Sequence, residues 1–83
     1  MALVTLDRIA PGNSGKICRV GGEGALRRRL LDMGLTPNTK ITVRKVAPMG
    51  DPVELFLRGY SLTIRREDAA TITVEELPPE KGK

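Results

Sequence analysis

The sequence predicts a mostly β fold, a small barrel of five or six short strands with its edges closed or covered, plus one short α-helix. Three observations predict it. The chain has 83 residues, enough for one small core and one domain. Short runs of alternating apolar and polar residues recur along it, separated by Gly, Pro and Asn turns. One segment breaks that period, because Leu26, Leu30 and Met33 recur at i, i+4 and i+7, the stripe of a helix packed on a core.

In chain order, residues 4–6 form the first strand candidate. Pro11-Gly12-Asn13-Ser14-Gly15 is a dense turn signal that delivers a second strand over residues 16–20, ended by Gly21 and Gly22. The helix occupies about residues 23–33, from Glu23 to Met33. Glu23 suits the positive end of the helix dipole, whereas Asp32 sits at the unfavourable end and is expected to lean on Arg28 or Arg29 one turn back. Gly34 can take the left-handed conformation at C′, so that Leu35 at C″ touches Leu30 at C3 in a Schellman ending.

Pro37-Asn38 reads as a turn in which Asn38 tolerates a positive φ. Ile41 and Val43 then alternate with Thr42 and Arg44, and the alternation slips at Lys45-Val46, where a bulge or sharp bend is expected. Residues 53–65 support a hairpin: with Arg58-Gly59 as a two-residue loop, Leu57 faces Tyr60, Leu55 faces Leu62 and Val53 faces Ile64. Glu54 with Thr63 and Phe56 with Ser61 then fall on the opposite face, a sorting that a one-residue slip would destroy. Arg is a weak choice at the first loop position, so a three-residue loop with Gly59 in a bulge stays open. Residues 66–70 suit one helical turn before a last strand with Ile72 and Val74 inward. The domain is expected to span residues 1–77, with residues 78–83 a loose tail.

Composition narrows the function. There is no histidine, so the commonest general base and metal ligand is missing, and the lone Cys18 has no imidazole to activate it and no partner for an internal disulfide. Cys18 is expected as a small buried or half-buried residue. The carboxylate pairs Glu67-Asp68 and Glu75-Glu76 are read as solvated, since strand neighbours such as Glu75 and Glu76 point to opposite faces and do not chelate one ion. Catalysis, a resident metal and a cofactor are therefore not expected. The longest apolar run, residues 1–4, is far below the roughly 20 needed to span a bilayer, so the expected setting is cytoplasmic, without membrane insertion.

A binding surface remains. Leu31 lies about 100° from Leu30 on the helical wheel, outside the buried stripe and between Arg27 and Arg28, and is read as an apolar anchor rimmed by charge, a residue covered by a loop or an ordinary surface leucine. Arg27 and Arg28 suit an acidic patch or a phosphate, or remain a solvated helix face. Phe56 falls on the outer face of its hairpin, where it either joins an interface or packs beneath the helix or a loop. Met49, in the Pro48-Met49-Gly50-Asp51-Pro52 turn, is an adaptable contact or a plain turn tip.

Arg29-Leu30-Leu31-Asp32-Met33-Gly34-Leu35-Thr36-Pro37, followed by Pro48, Gly50-Asp51-Pro52, Arg58-Gly59, Leu62, Arg65, Ala69, Ile72 and Val74, resembles the FeoA family. The resemblance extends from residue 6 to residue 74. It departs at Asn38, where the family more usually has glycine, a change the same turn accepts. It implies an SH3-like barrel and a cytoplasmic accessory of FeoB, the membrane transporter for ferrous iron with a guanine-nucleotide-binding domain. The expected role is a non-enzymatic adaptor that binds that transporter and modulates iron uptake. The expected partner-binding residues are Arg27, Arg28, Leu31, Met49 and Phe56.

Two other readings compete. The net charge of +4 suits a small nucleic-acid-binding barrel, but Phe56 and Tyr60 alone are a narrow stacking platform, and Tyr60 is expected to face the core. Nucleic acid is therefore not the expected partner. The SH3-like regulatory domain of an iron-dependent repressor also resembles this family in fold. Weak self-association stays open.

Overall fold

A computed structural model describes residues 3–77 of the chain; the expected tail at residues 78–83 lies outside the described residues. Six strands and two helices follow in the order β1 (Leu3–Thr5), β2 (Ser14–Val20), α1 (Gly24–Asp32), β3 (Lys40–Val46), β4 (Val53–Leu57), β5 (Tyr60–Ile64), α2 (Arg66–Ala69) and β6 (Ile72–Glu76). A 3-10 turn over Leu6–Arg8 separates β1 from β2. All strand pairings are antiparallel, in the order β1-β6-β2-β3-β4-β5.

One face of this sheet and the underside of α1 enclose a single core. Ile17, Leu30, Leu35, Ile41, Val43, Leu55, Ile72 and Val74 are fully buried in it. Strand alternation supplies most of these residues: Ile41 and Val43 from β3, Val53, Leu55 and Leu57 from β4, and Ile72 and Val74 from β6 point inward while their neighbours face out. Leu6 is also buried, but from the 3-10 turn, because the first strand ends at Thr5.

The hairpin adopts the expected register, pairing Leu57 with Tyr60, Leu55 with Leu62 and Val53 with Ile64. Arg58 and Gly59 both have positive φ, 50° and 84°, as a two-residue turn of the primed type requires. The strain of a left-handed arginine is offset by its head, since the Arg58 guanidinium donates to the Thr36 hydroxyl at 3.1 Å and the Thr39 hydroxyl at 2.9 Å. The expected bulge in β3 is present between Val43 and Lys45.

A second bulge, between Ile17 and Arg19 in β2, corrects the placement of Cys18. The extra residue sends both Cys18 and Arg19 outward before Val20 returns to the core, so Cys18 is exposed instead of buried. The strand itself starts at Ser14, two positions before the expected Lys16, because Ser14 and Gly15 already pair with Thr42 and Ile41.

Candidate interaction surface

Helix α1 carries three consecutive exposed arginines, Arg27, Arg28 and Arg29, and several contacts fix its direction. Its C-terminus closes as a Schellman motif: Gly34 N–H donates to the Leu31 carbonyl at 3.0 Å and Leu35 N–H to the Leu30 carbonyl at 3.1 Å, with Gly34 at φ +98°. The Tyr60 hydroxyl donates to the Met33 carbonyl, tying the end of α1 to β5. Tyr60 is 42% exposed, so it lies across the helix end and does not enter the core as expected. At the other end, Arg27 Nε donates to the Val20 carbonyl at 3.2 Å. That contact pins the start of α1 to β2, so Arg27 has an architectural task besides any contact with a partner.

Leu31 also differs from the expectation. It is half-buried and packs against the core cluster with Leu26 and Met33. The apolar stripe on α1 is broader than a single line of contacts, as is usual for a helix covering a sheet. Arg28 is exposed on the outer side.

Arg29 contributes a long-range contact between the two helices. Its Nη2 lies 3.3 Å from Asp68 Oδ2, joining α1 to α2, with side-chain exposures of 62% for Arg29 and 10% for Asp68. Asp68 is thus nearly desolvated while its partner reaches into water. The expected local pairing of Asp32 with Arg29 yields to this contact because a buried carboxylate needs a cation more than a solvated one does. An open cleft of about 280 Å³ runs beside the bridge, lined by Arg29, Met33, Thr63, Ile64, Arg65 and Asp68.

The Met49 turn adjoins the same flank. Asp51 Oδ1 accepts from the Arg66 N–H at 3.0 Å, capping the first residue of α2, and the Arg66 guanidinium packs over Gly50. Met49 projects from this anchored turn at 87% exposure. A long flexible apolar side chain held out on a fixed turn is suited to an adaptable contact. One flank therefore gathers Arg29, Arg65, Arg66 and Met49.

Phe56 belongs to a different patch. It stands on the outer face of β4 at 37% exposure, with the Arg44 guanidinium carbon 5.2 Å from its ring centroid. Neither the helix nor a loop covers it; a cation stacks on it instead. Phe56 also lines a second cleft with Lys40, Thr42, Leu57 and Arg58, which shares no residue with the first.

Of the five expected contact residues, Arg28 and Met49 are exposed, Arg27 and Phe56 are exposed but engaged, by the Val20 carbonyl and the Arg44 guanidinium respectively, and Leu31 is half-buried. The sequence reading misses Arg29, Arg65 and Asp68 as a cluster. The available signal was an arginine one turn from the helix end and an acidic residue on a short helix; their meeting depends on the whole sheet.

The chemistry on offer is recognition. Arg29 and Arg65 present planar donors suited to carboxylate or phosphate, and Met33, Ile64 and Met49 supply apolar contact. Among the described residues, no group of three or more His, Cys, Asp or Glu side chains is placed to hold a metal ion. No helix among them is long and apolar enough to cross a membrane.

Comparison with known proteins fits this architecture. The chain is 43% identical over 70 residues to the Fe(2+) transport protein A/Fe(2+) transporter FeoB fusion protein of Porphyromonas gingivalis strain W83. That match covers 84% of this chain and 8% of the relative, so the chain spans less than a tenth of the fusion protein's length. The solution structure of a FeoA-like protein from Clostridium acetobutylicum superposes with a TM-score of 0.87 at 35% identity, over 100% of this chain and 96% of the other. A FeoA from Stenotrophomonas maltophilia, described as a prokaryotic SH3 domain protein, shares the fold with a TM-score of 0.77 at 20% identity, over 87% of this chain and 89% of the other. The barrel is thus SH3-like, as expected. With the FeoA domain matching residues 4–76, the chain belongs to the FeoA family, which is linked to ferrous iron transport.

Proposed function

We propose that the chain is a non-enzymatic cytoplasmic adaptor that docks on the cytoplasmic part of a FeoB-type ferrous iron transporter and modulates iron uptake. The observation that carries this reading is the fusion relative, in which a segment 43% identical to this chain shares one polypeptide with a FeoB transporter. Covalent linkage holds two modules at high effective concentration, an arrangement suited to partners that must associate. The surface supports a docking role, since it offers exposed arginines and an exposed Met49 turn.

The contact residues under this proposal are Arg28, Met49 and the half-buried Leu31, with Arg27 beside them and Phe56 on a separate patch of the outer face of β4. Direct binding tests it. The purified chain is titrated into the transporter's isolated cytoplasmic domain and into the intact transporter, each without nucleotide, with GDP and with a non-hydrolysable GTP analogue. Association with at least one of these supports the proposal, and no association with any of them refutes it.

A further inference from the structure

Strand β5 ends the sheet order, and among the described residues it pairs only with β4. Because Leu57 and Tyr60 flank a two-residue turn, they form a hydrogen-bonded pair, and so do Leu55 with Leu62 and Val53 with Ile64. Ser61 and Thr63 therefore turn their backbone N–H and C=O groups away from β4, along the open edge.

Edges of this kind are usually blunted by charge, proline or a covering element. Tyr60-Ser61-Leu62-Thr63-Ile64 has neither a charged residue nor proline. The other edge strand, β1, spans only Leu3–Thr5. The open cleft draws Thr63 and Ile64 from the end of β5, Arg65 just after it, and Arg29, Met33 and Asp68 from the two helices and their ends. Met33 and Ile64 are its apolar lining, and the Arg29 and Arg65 side chains that also line it are largely exposed.

We propose that β5 is a strand-addition site, where an extended acidic segment of a protein partner joins the sheet as a seventh strand beside Ser61 and Thr63. Its carboxylates meet Arg29 and Arg65, and an apolar side chain enters the cleft. Main-chain hydrogen bonds supply affinity in such additions, and alternate side chains supply selectivity. Charge complementarity points to an acidic segment. A second copy of β5 brings no carboxylate to the two arginines, because residues 60–64 contain none.

This inference rests on the proposed docking to a FeoB-type transporter and names the contact used. The test is amide hydrogen exchange, resolved by residue, on the whole chain free and in complex with the transporter's purified cytoplasmic domain. In the free chain the Leu62 and Ile64 amides, bonded to β4, exchange slowly, and those of Ser61 and Thr63 exchange fast. Strand addition slows Ser61 and Thr63 by about tenfold or more on complex formation, with little change at their neighbours. A complex that leaves both amides fast overturns strand addition while the docking role stands. Failure to form a complex overturns both.

Two variants add a second readout. Thr63→Pro removes an outward N–H without touching the bonds to β4, and Arg65→Glu reverses an exposed charge. Each is expected to weaken binding about tenfold. Unchanged affinity in Arg65→Glu, whose fold does not depend on the edge, overturns the acidic-segment assignment.

Discussion

Replacing Gly34 by alanine probes the device that aims α1. Gly34 sits at φ +98°, and an L-residue held in that left-handed region costs about 1–2 kcal/mol. A Cβ built there would lie 2.8 Å from the Tyr60 hydroxyl oxygen. The ring must move, and the hydrogen bond from Tyr60 to the Met33 carbonyl is lost, a further ~0.5–1.5 kcal/mol. The expected cost is therefore about 1.5–3.5 kcal/mol, a drop in Tm of roughly 10–20 °C for a domain of this size. Thermal and urea unfolding followed by circular dichroism measure it. A double-mutant cycle with Tyr60→Phe separates the two contributions, because removing the hydroxyl also removes the obstruction. Gly34→Ala should then cost about 1 kcal/mol less in the Tyr60→Phe background. A cost below ~0.5 kcal/mol, or an equal cost in both backgrounds, would refute this account of the helix stop.

Three further outcomes follow from the packing. Leu31→Glu places a carboxylate against the core cluster and should destabilise by about 2–3 kcal/mol, whereas Arg28→Glu should stay within about 0.5 kcal/mol; denaturant midpoints check both. At the α1–α2 bridge, Arg29→Ala strands a carboxylate that is only 10% exposed and should cost about 1–2 kcal/mol, a figure discounted for the solvent around Arg29. Asp68→Asn buries no charge and keeps an oxygen that can accept from Arg29, so it should cost about half as much, and an equal or reversed order in chemical denaturation contradicts the assigned burial. Met49→Glu, at an 87% exposed turn tip, should leave Tm unchanged within about 2 °C yet weaken transporter binding, read by calorimetric titration.

Local rules made much of the fold legible. The β4–β5 register follows from period-2 alternation around Arg58-Gly59, because only one register sorts Val53, Leu55 and Leu57 from Glu54 and Phe56. The Schellman stop follows from Gly34 and Leu35, and the β3 bulge from the slip at Lys45. What stays hidden depends on the third dimension. The β2 bulge at Cys18 has no marker in the alternation of Lys16–Val20, since either face assignment is consistent with those residues. Tyr60 belongs to the inward set by parity, but at the strand's end no core remains to receive it, and its hydroxyl finds a helix terminus instead. Leu31 reads as exposed on an ideal wheel because the width of the sheet beneath α1 is not a property of the helix. The Arg29–Asp68 bridge and its cleft join residues 39 positions apart, a separation no local spacing rule encodes. Of the candidate contacts, Met49 and Phe56 were readable as turn tip and outer-face aromatic, while the cluster of Arg29, Arg65 and Asp68 was not.

Docking on a FeoB-type transporter is the role proposed for this chain. Calorimetric titration of the purified chain into the intact transporter, repeated without nucleotide, with GDP and with a non-hydrolysable GTP analogue, tests it most directly. The account predicts saturable one-site association in at least one state, weakened by Met49→Glu under conditions where that variant remains folded. Absence of heat and of co-elution in every state, with the transporter shown to be active, would contradict it.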